Sequence, residues 1–236
     1  PPPRAGRPAG ASRARRSMNA EGDAPLDLTS AWAATALAAI VAFGSGSLPF
    51  ALWLGRLWLG RDVREFGDGN PGATNALRAG GPALGVSVLL LDVTKGVLPI
   101  VLAKDVLGLA GAPLALVAAL PVAGAAFSPF LGLRGGKALA VLLGTWIGLT
   151  IWTIPLVAVV GIVVATRAIR PDGWAVAVTL AAMLLGVLLV APERTLILTM
   201  LVQAGIILWK HRADLAQAPR RRRRDASGAG PAGRRA

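Results

Sequence analysis

Residues 138–166 read ALAVLLGTWIGLTIWTIPLVAVVGIVVAT, a run of 29 residues without a charged side chain. One membrane-spanning helix needs only about 20 apolar residues, so this run is long for a single span. Pro155 lies inside it, and proline disrupts the interior of a helix. The run therefore predicts two short transmembrane helices, over about residues 138–150 and 152–167.

Apolar segments of similar character recur along the chain, over about residues 31–54, 82–103, 107–127, 174–191 and 194–210. Together with the pair above they predict seven spans, all helical, because a backbone exposed to lipid must satisfy its own hydrogen bonds. The predicted fold class is an all-α, polytopic integral membrane protein. Residues 31–43 also resemble a signal-peptide core, but the apolar chain continues beyond them, which favours an uncleaved anchor.

Composition supports this fold class and excludes others. Apolar residues make up 54% of the 236 residues, and only 16% are charged, against about 25% in soluble domains. That much apolar surface cannot be hidden inside so small a chain, which argues against disordered, collagen-like and most soluble proteins. The chain has no Cys and one His, which excludes disulfides, thiol chemistry and His-cluster metal sites. We therefore expect no metal and no cofactor.

Three regions follow from these patterns. Residues 1–29 are rich in Pro, Arg, Ala and Gly and predict a disordered tail. Residues 30–215 form the predicted membrane domain, and residues 216–236 predict a disordered, Arg-rich tail. The chain begins with Pro1, and Met18 is an alternative start that would place residues 1–17 outside the native protein. N-terminal sequencing of the native protein distinguishes the two starts.

The net charge of +13 lies mostly at the C-terminal end, where residues 210–236 hold nine basic and two acidic side chains. A nucleic-acid-binding protein carries its basic patch on a folded domain, so we expect no nucleic-acid partner. Basic residues also gather in alternate connections, and the positive-inside rule places those connections and the C-terminus in the cytoplasm. The arginines of the N-terminal tail favour the opposite orientation unless Met18 is the start. The run of five arginines at 220–224 is expected to contact anionic membrane lipid.

One polar stretch on the predicted cytoplasmic side has the composition of an anion site. Residues 66–81 read FGDGNPGATNALRAGG. Glycines allow backbone N–H groups to converge on an anion, and a helix that starts after Pro71 would add further donors. The Arg78 guanidinium suits phosphate. The alternative is a flexible turn.

Three smaller motifs lie on the same side or inside a span. Asp92 and Lys95 share a helix face within the second span, as a functional pair or as a structural ion pair. Residues 131–140, LGLRGGKALA, place Arg134 and Lys137 around two glycines before a helix, as an anion site or as a positive-inside loop. His211 near Asp214 is a candidate base, or a histidine that complements a helix dipole.

The motifs in their order and spacing resemble the PlsY family of bacterial membrane acyltransferases. They are SGSLPFALWLGRL (45–57), VREFGDGNPGATNALRAGG (63–81), LLLDVTKGVLP (89–99), FLGLRGGKALA (130–140) and KHRAD (210–214). The resemblance implies a seven-helix domain of the bacterial inner membrane with its active site on the cytoplasmic side. It also implies transfer of an acyl group from acyl-phosphate to the sn-1 hydroxyl of glycerol 3-phosphate, which gives lysophosphatidic acid, and we expect the protein to be a monomer.

Site residues are carried over position by position. The resemblance implies catalytic roles for Arg78, Lys137 and His211, with Arg78 and Lys137 offsetting developing charge and His211 or a substrate phosphate taking the proton. It implies phosphate-binding roles for Ser47, Gly67, Asp68, Gly69, Asn70, Gly72, Thr74, Asn75, Arg78, Lys95, Arg134, Gly135, Gly136 and Lys137.

The chain departs from the family pattern inside and beside this set. Asp68 stands where the family has Ser, Ala125 where it has His, Ala138 where it has Gly, and Asp214 where it has Asn. A carboxylate at position 68 should repel phosphate unless a cation neutralises it. The departures leave open a divergent paralog with altered or lost catalysis, or a membrane transporter or regulatory protein, beside the acyltransferase.

Overall fold

The structure is a computed structural model that describes residues 28–221. The compact unit that contains the cavity described below begins at Thr35. The helices are α1 (Leu28–Ser47), α2 (Phe50–Leu59), α3 (Ala73–Val101), α4 (Gly111–Ala126), α5 (Leu139–Thr150), α6 (Thr153–Ala168), α7 (Asp172–Val190), α8 (Arg194–Lys210) and α9 (Arg212–Leu215). The predicted N-terminal tail lies outside the described residues except for its last two, which begin α1, and residues 222–236 of the predicted C-terminal tail also lie outside.

Short elements join these helices. They are two 3₁₀ turns (Val63–Glu65 and Pro129–Leu131), a π-helical turn (Leu102–Val106) and the strands β1 (Ile169–Arg170) and β2 (Arg220–Arg221). The two strands pair antiparallel, with Arg170 opposite Arg220. This ribbon joins the end of α6 to the chain that follows α9.

The predicted break inside residues 138–166 is confirmed. Helix α5 ends at Thr150, and α6 begins at Thr153. Ile151 has a φ of +57°, which a right-handed helix cannot contain. Pro155 lies in the first turn of α6, where its missing N–H group leaves no hydrogen bond unmade. The run therefore forms two helices of 12 and 16 residues.

The first predicted span, 31–54, is not one helix. Helix α1 ends at Ser47 and α2 begins at Phe50, because Pro49 has no N–H group to donate and restricts the backbone of Leu48. The break takes the Leu48 carbonyl oxygen out of the regular helical hydrogen-bond pattern. It accepts one hydrogen bond from the Phe50 N–H group at 3.1 Å and another from Lys95 Nζ at 2.7 Å.

Helix α3 contains a second interruption. Gly80 and Gly81 depart from helical geometry, and the φ of Gly81 is +77°, which favours glycine. The kink precedes Pro82, where the predicted span 82–103 starts. The turns before the kink therefore carry the polar motif, and the turns after it enter the apolar layer.

Among the residues that the structure describes, four helical stretches are long and apolar enough to cross a membrane, at Trp32–Leu59, Ala73–Val106, Gly111–Leu131 and Asp172–Val190. Helices α5 and α6 are shorter and also apolar. Large apolar side chains such as Leu90, Trp152 and Leu189 stand exposed on the outside, as expected for surfaces that face lipid. The chain is therefore an all-α, polytopic membrane protein, and the number of seven spans stays a prediction.

Glycines allow α3 and α5 to approach closely. A Cβ on Gly96 would collide with the Val141 carbonyl oxygen, and one on Gly144 would collide with that of Val93. Small residues that bring backbones together are the usual means of packing helices in lipid. The α3–α5 pair positions Lys95 and the loop before α5 beside each other.

One buried amide joins three helices in the core. Gln203 on α8 accepts a hydrogen bond from Trp146 Nε1 on α5 and donates one to the Ala118 carbonyl oxygen on α4, both at 2.8 Å. Gln203 and Trp146 are fully buried. Since an unpaired polar group is costly in an apolar interior, this network specifies the rotation of α8 toward the core.

We expect Gly144→Ala to lower the free energy of unfolding by about 1–3 kcal/mol, because the new methyl group collides with the α3 backbone. Thermal unfolding of the purified protein in detergent measures this. The control is Gly205→Ala on α8, where a Cβ meets nothing within 4 Å. Equal unfolding temperatures for the two variants would contradict the close approach of α3 and α5.

Candidate active site

Most of the residues predicted for the site converge on one cavity of about 740 Å³. The cavity lies between the α1–α2 break, the polar stretch before α3, the loop before α5, and the ends of α6, α7 and α8. The predicted residues that line it are Ser47, Gly67, Asp68, Asn70, Gly72, Thr74, Asn75, Arg78, Lys95, Gly136, Lys137 and His211. These residues come from five separate sequence motifs, and the fold brings them together.

Three predicted residues do not line this cavity. Arg134 is exposed, and Gly69 occupies a turn with a φ of +75°. Gly135 is buried against the backbone of Ala125 and Ala126, where any larger residue would collide with a carbonyl oxygen. The lining of the cavity does not support a phosphate contact by these three residues, and their predicted role stays a prediction.

The polar stretch is ordered by its own side chains. Helix α3 begins at Ala73, which confirms the predicted helix start after Pro71. Gly67 has a φ of +62°, and a Cβ there would collide with Arg78 Nη1 and Asn75 Oδ1. The Arg78 guanidinium donates to Asn75 Oδ1 at 3.1 Å. The glycine thus provides the space in which these two side chains meet.

Hydrogen-bond donors surround the carboxylate of Asp68. Lys137 Nζ lies 2.9 Å from Oδ2, and Asn70 Nδ2 lies 2.7 Å from the same oxygen. Asn75 Nδ2 and the Asn70 backbone N–H donate to Oδ1 at 2.9 and 3.3 Å. Although partial burial raises the pKa of Asp68, the hydrogen bonds from Lys137 and Asn70 outweigh it and hold that pKa well below its usual range. Asp68 is therefore ionised at neutral pH.

Lys137 also approaches a second carboxylate. Its Nζ lies 3.9 Å from Asp214 Oδ2, so both acidic departures from the family pattern face the same lysine. The adjacent departure, Ala138, has a φ of +59°, a conformation that glycine adopts with least strain. The loop before α5 therefore keeps a glycine-like backbone at a residue that is not glycine.

The Asp92–Lys95 pair is a buried ion pair with further partners. Lys95 Nζ lies 2.7 Å from Asp92 Oδ1 and 2.7 Å from the Leu48 carbonyl oxygen. Ser45 Oγ donates to the Lys95 carbonyl oxygen at 3.1 Å. These contacts favour the structural alternative for this pair, although Lys95 still lines the cavity.

His211 is buried, and its Nδ1 lies 2.9 Å from the Ile207 carbonyl oxygen. A carbonyl oxygen only accepts, so Nδ1 carries the hydrogen and Nε2 of the neutral ring has a free lone pair. Burial lowers the pKa of His211 from its ordinary value, so the ring is neutral at pH 7. The residue that orients it is Ile207, whereas the described ion pair of Asp214 is with Lys137.

Sequence reasoning missed several residues that build or line the cavity. Arg170 and Asp172 line it and form an ion pair at 2.6 Å. Lys210 Nζ donates to the carbonyl oxygens of Ala126 and Gly135 at 3.0 and 2.9 Å, and so holds the loop before α5. The one available signal for Lys210 is its place next to His211.

The cavity has an apolar arm. Its lining continues along Leu139 and Leu143 on α5, Ile162 on α6 and Val176 on α7. The same four residues border a smaller cavity of about 80 Å³ between these three helices, which is lined almost entirely by apolar side chains. The site therefore joins a polar floor to an apolar channel.

Charge in the polar floor is nearly balanced. Its cations are Arg78, Lys95, Lys137 and Arg170, and its anions are Asp68, Asp92 and Asp172. Within residues 28–221, Arg78 is the one cation of this lining for which no carboxylate partner is found. The floor can therefore accept an anion most readily at Arg78, beside the N-terminus of α3.

Comparison with known proteins identifies relatives of the chain. The sequence profile of the family described as glycerol-3-phosphate acyltransferase matches residues 36–220. A glycerol-3-phosphate acyltransferase from Pseudomonas aeruginosa (strain LESB58) is 39% identical over 180 residues, which cover 76% of this chain and 93% of the relative. One from Anaeromyxobacter sp. (strain Fw109-5) is 48% identical over 113 residues, which cover 46% of this chain and 55% of the relative. Alignments to four Anaeromyxobacter relatives span 55–66% of their lengths.

A solved structure shares the fold. The crystal structure of PlsY, an integral membrane glycerol 3-phosphate acyltransferase in its glycerol 3-phosphate form, has a TM-score of 0.70. It is 26% identical, and the match covers 77% of this chain and 90% of that protein.

The geometry of the polar stretch predicts that Gly67→Ala disorders it, because the new methyl group displaces Arg78 and Asn75. Trypsin should then cleave the detergent-solubilised protein faster at Arg64 and Arg78. The matched control is Gly60→Ala, which has a similar φ of +65° but meets nothing within 4 Å. Both variants carry similar backbone strain, so equal cleavage rates would refute the role of Gly67 in ordering the stretch.

Proposed function

The chain belongs to the glycerol-3-phosphate acyltransferase family, and from this premise we propose that it transfers a fatty acyl group from acyl-phosphate to the sn-1 hydroxyl of glycerol 3-phosphate. The product is lysophosphatidic acid, an intermediate of phospholipid synthesis. The observation that carries the proposal is the continuity of the polar floor with the apolar arm in one cavity. A phosphate ester and an acyl chain need these two environments side by side.

The polar floor supplies the groups that phosphate needs. Arg78 offers a forked cation without a carboxylate partner among the described residues, and Lys137 offers a second cation. Helix α3 adds backbone N–H groups at its start. Charge-assisted hydrogen bonds of this kind are the strong ones, and they also fix the orientation of the substrate.

The acyl chain is proposed to lie in the apolar arm. Leu139, Leu143, Ile162 and Val176 line this arm, and burial of each CH₂ group contributes about 0.8 kcal/mol. The arm runs between α5, α6 and α7, so an acyl chain that lies in it has its activated carbonyl end at the polar floor.

The chemistry is a direct acyl transfer. The sn-1 oxygen of glycerol 3-phosphate attacks the acyl carbon, the bond from this carbon to the bridging oxygen breaks, and inorganic phosphate leaves. Arg78 and Lys137 offset the developing negative charge. The hydroxyl proton passes to Nε2 of neutral His211 or to a substrate phosphate. The acyl-phosphate arrives activated, so its anhydride bond supplies the driving force.

A second candidate is altered catalysis on the same fold. The observation that favours it is that Lys137 faces the carboxylates of both Asp68 and Asp214. A lysine held in this way attracts a phosphate less strongly. Complementation of a strain that lacks its own PlsY enzyme distinguishes the candidates, since rescue by this chain requires the acyltransferase activity.

The protein is proposed to lie in the bacterial inner membrane as a monomer with its C-terminus in the cytoplasm. Basic residues gather in the connections next to segments that line the polar floor, since Arg56, Arg61 and Arg64 precede Gly67 and Arg167 precedes Arg170 in the chain. The positive-inside rule orients this side toward the cytoplasm. One chain supplies the whole cavity, which supports a monomeric enzyme.

For activity, we expect Arg78→Ala to raise the KM for glycerol 3-phosphate about 10- to 100-fold, since it removes a charge-assisted contact.

We expect His211→Gln to lower kcat by about 100-fold, since it removes the base. Steady-state assays of the purified protein with palmitoyl-phosphate measure both. The control is Arg167→Ala, which removes an exposed cytoplasmic arginine outside the cavity. Unaltered kinetics in Arg78→Ala would overturn the proposed phosphate site.

For topology, a C-terminal fusion to green fluorescent protein should fluoresce in a bacterial host, and a C-terminal fusion to alkaline phosphatase should be inactive. Both reporters depend on the side of the membrane on which they fold. An active alkaline phosphatase fusion would refute the cytoplasmic C-terminus.

A further inference from the structure

The donors around Asp68 form an anion site whose occupant is part of the chain. An ammonium group (Lys137), two side-chain amides (Asn70 and Asn75) and one backbone N–H group (Asn70) donate to the two oxygens of a single carboxylate. No donor of this set comes from Asp68 itself. The same set, with Asp68 turned away, would surround an external oxyanion on one side.

The contact between Asp68 and Lys137 can open. The two residues are 69 positions apart, and their side chains keep 47% and 29% of their exposure. An ion pair at this degree of exposure contributes little net stability. A phosphate dianion carries twice the charge of a carboxylate, so it can take the place of Asp68 on Lys137.

A second carboxylate remains close after such an exchange. Asp214 Oδ2 lies 3.9 Å from Lys137 Nζ, and the Asp214 side chain is 29% exposed. Lys137 therefore keeps Asp214 as a counter-ion both when Asp68 contacts it and when a phosphate has replaced Asp68. The exchange of Asp68 for phosphate changes the local charge without leaving the lysine unpaired.

We propose that the carboxylate of Asp68 is an internal competitor of the substrate phosphate for Lys137, and that Asp68 thereby sets the affinity of the site for the phosphate of its substrate. This inference rests on the proposed function in taking glycerol 3-phosphate as the substrate. In the empty site, Asp68 occupies Lys137, Asn70 and Asn75. Phosphate enters at Arg78, displaces Asp68 and then contacts Lys137.

The test compares Asp68→Ser and Asp68→Asn with the natural chain, in the full-length protein purified in detergent. Removal of the carboxylate should lower the KM for glycerol 3-phosphate and the Kd for inorganic phosphate, both by about 5-fold, the size of effect that one exposed ion pair can exert. Calorimetry with inorganic phosphate measures binding without chemistry.

Two controls isolate the competition. Glu65→Gln removes an exposed carboxylate from the same stretch of chain, but its described ion pair is with Arg61 and neither residue lines the cavity, so it should change the Kd for phosphate by less than about 2-fold. In a Lys137→Met background, Asp68→Ser should no longer tighten phosphate binding, because the shared partner is gone.

The outcomes separate the inference from the proposed function. Unchanged or weaker phosphate binding in both Asp68 variants, or equal tightening in the Lys137→Met background, would overturn the inference. Tighter phosphate binding without acyl transfer by any variant would uphold it and refute the proposed function. If Asp68→Ser does not unfold cooperatively, Asp68→Asn, which preserves the shape of the side chain, decides the question.

Discussion

The ammonium group of Lys95 joins the elements on which the cavity is built. It pairs with Asp92 on its own helix and binds the Leu48 carbonyl oxygen at the break between α1 and α2. A backbone carbonyl that leaves a helix inside an apolar layer needs such a partner, since lipid offers none. The break lets the chain turn and form α2, which leads through the polar stretch into α3. Without this contact, the Leu48 carbonyl oxygen would keep only its hydrogen bond from the Phe50 N–H group, and the buried Asp92 would lose its counter-ion.

Most of the positive charges that line the cavity are paired with carboxylates. Lys95, Lys137 and Arg170 each have a carboxylate within ion-pair distance, whereas Arg78 binds only the neutral amide of Asn75 among the described residues. A site for anionic substrates that is nearly neutral when empty avoids mutual repulsion of its cations in a medium of low dielectric constant. In the proposed competition, the pair that exchanges is that of Lys137, which is partly exposed, whereas the pair of Lys95 is buried.

Helix α5 connects the polar and apolar halves of the site. Its preceding loop carries Lys137, and its first turns present Leu139 and Leu143 to the apolar arm. Lys210 holds this loop from α8 through two backbone carbonyl oxygens, and the neighbouring His211 faces the cavity. The end of α8 thus fixes both the loop and the candidate base. Close packing of α3 on α5 through Gly96 and Gly144 fixes the distance between this loop and the polar stretch.

Four features could be predicted from the amino-acid sequence alone: the all-α membrane class, the division of residues 138–166 into two helices, the helix start after Pro71 and the motifs of the family. These follow from local properties, namely apolar content, the missing N–H group of proline and the conformational freedom of glycine. The sequence did not predict that Asp68 and Asp214 both face Lys137, that Lys210 holds the loop before α5, or that Arg134 lies outside the cavity. Those contacts join residues far apart in the chain, and they depend on how each helix is rotated and where helices cross. In an apolar chain with little amphipathic pattern, packing of the assembled helices sets that rotation, so the charges that meet become known only from the folded arrangement.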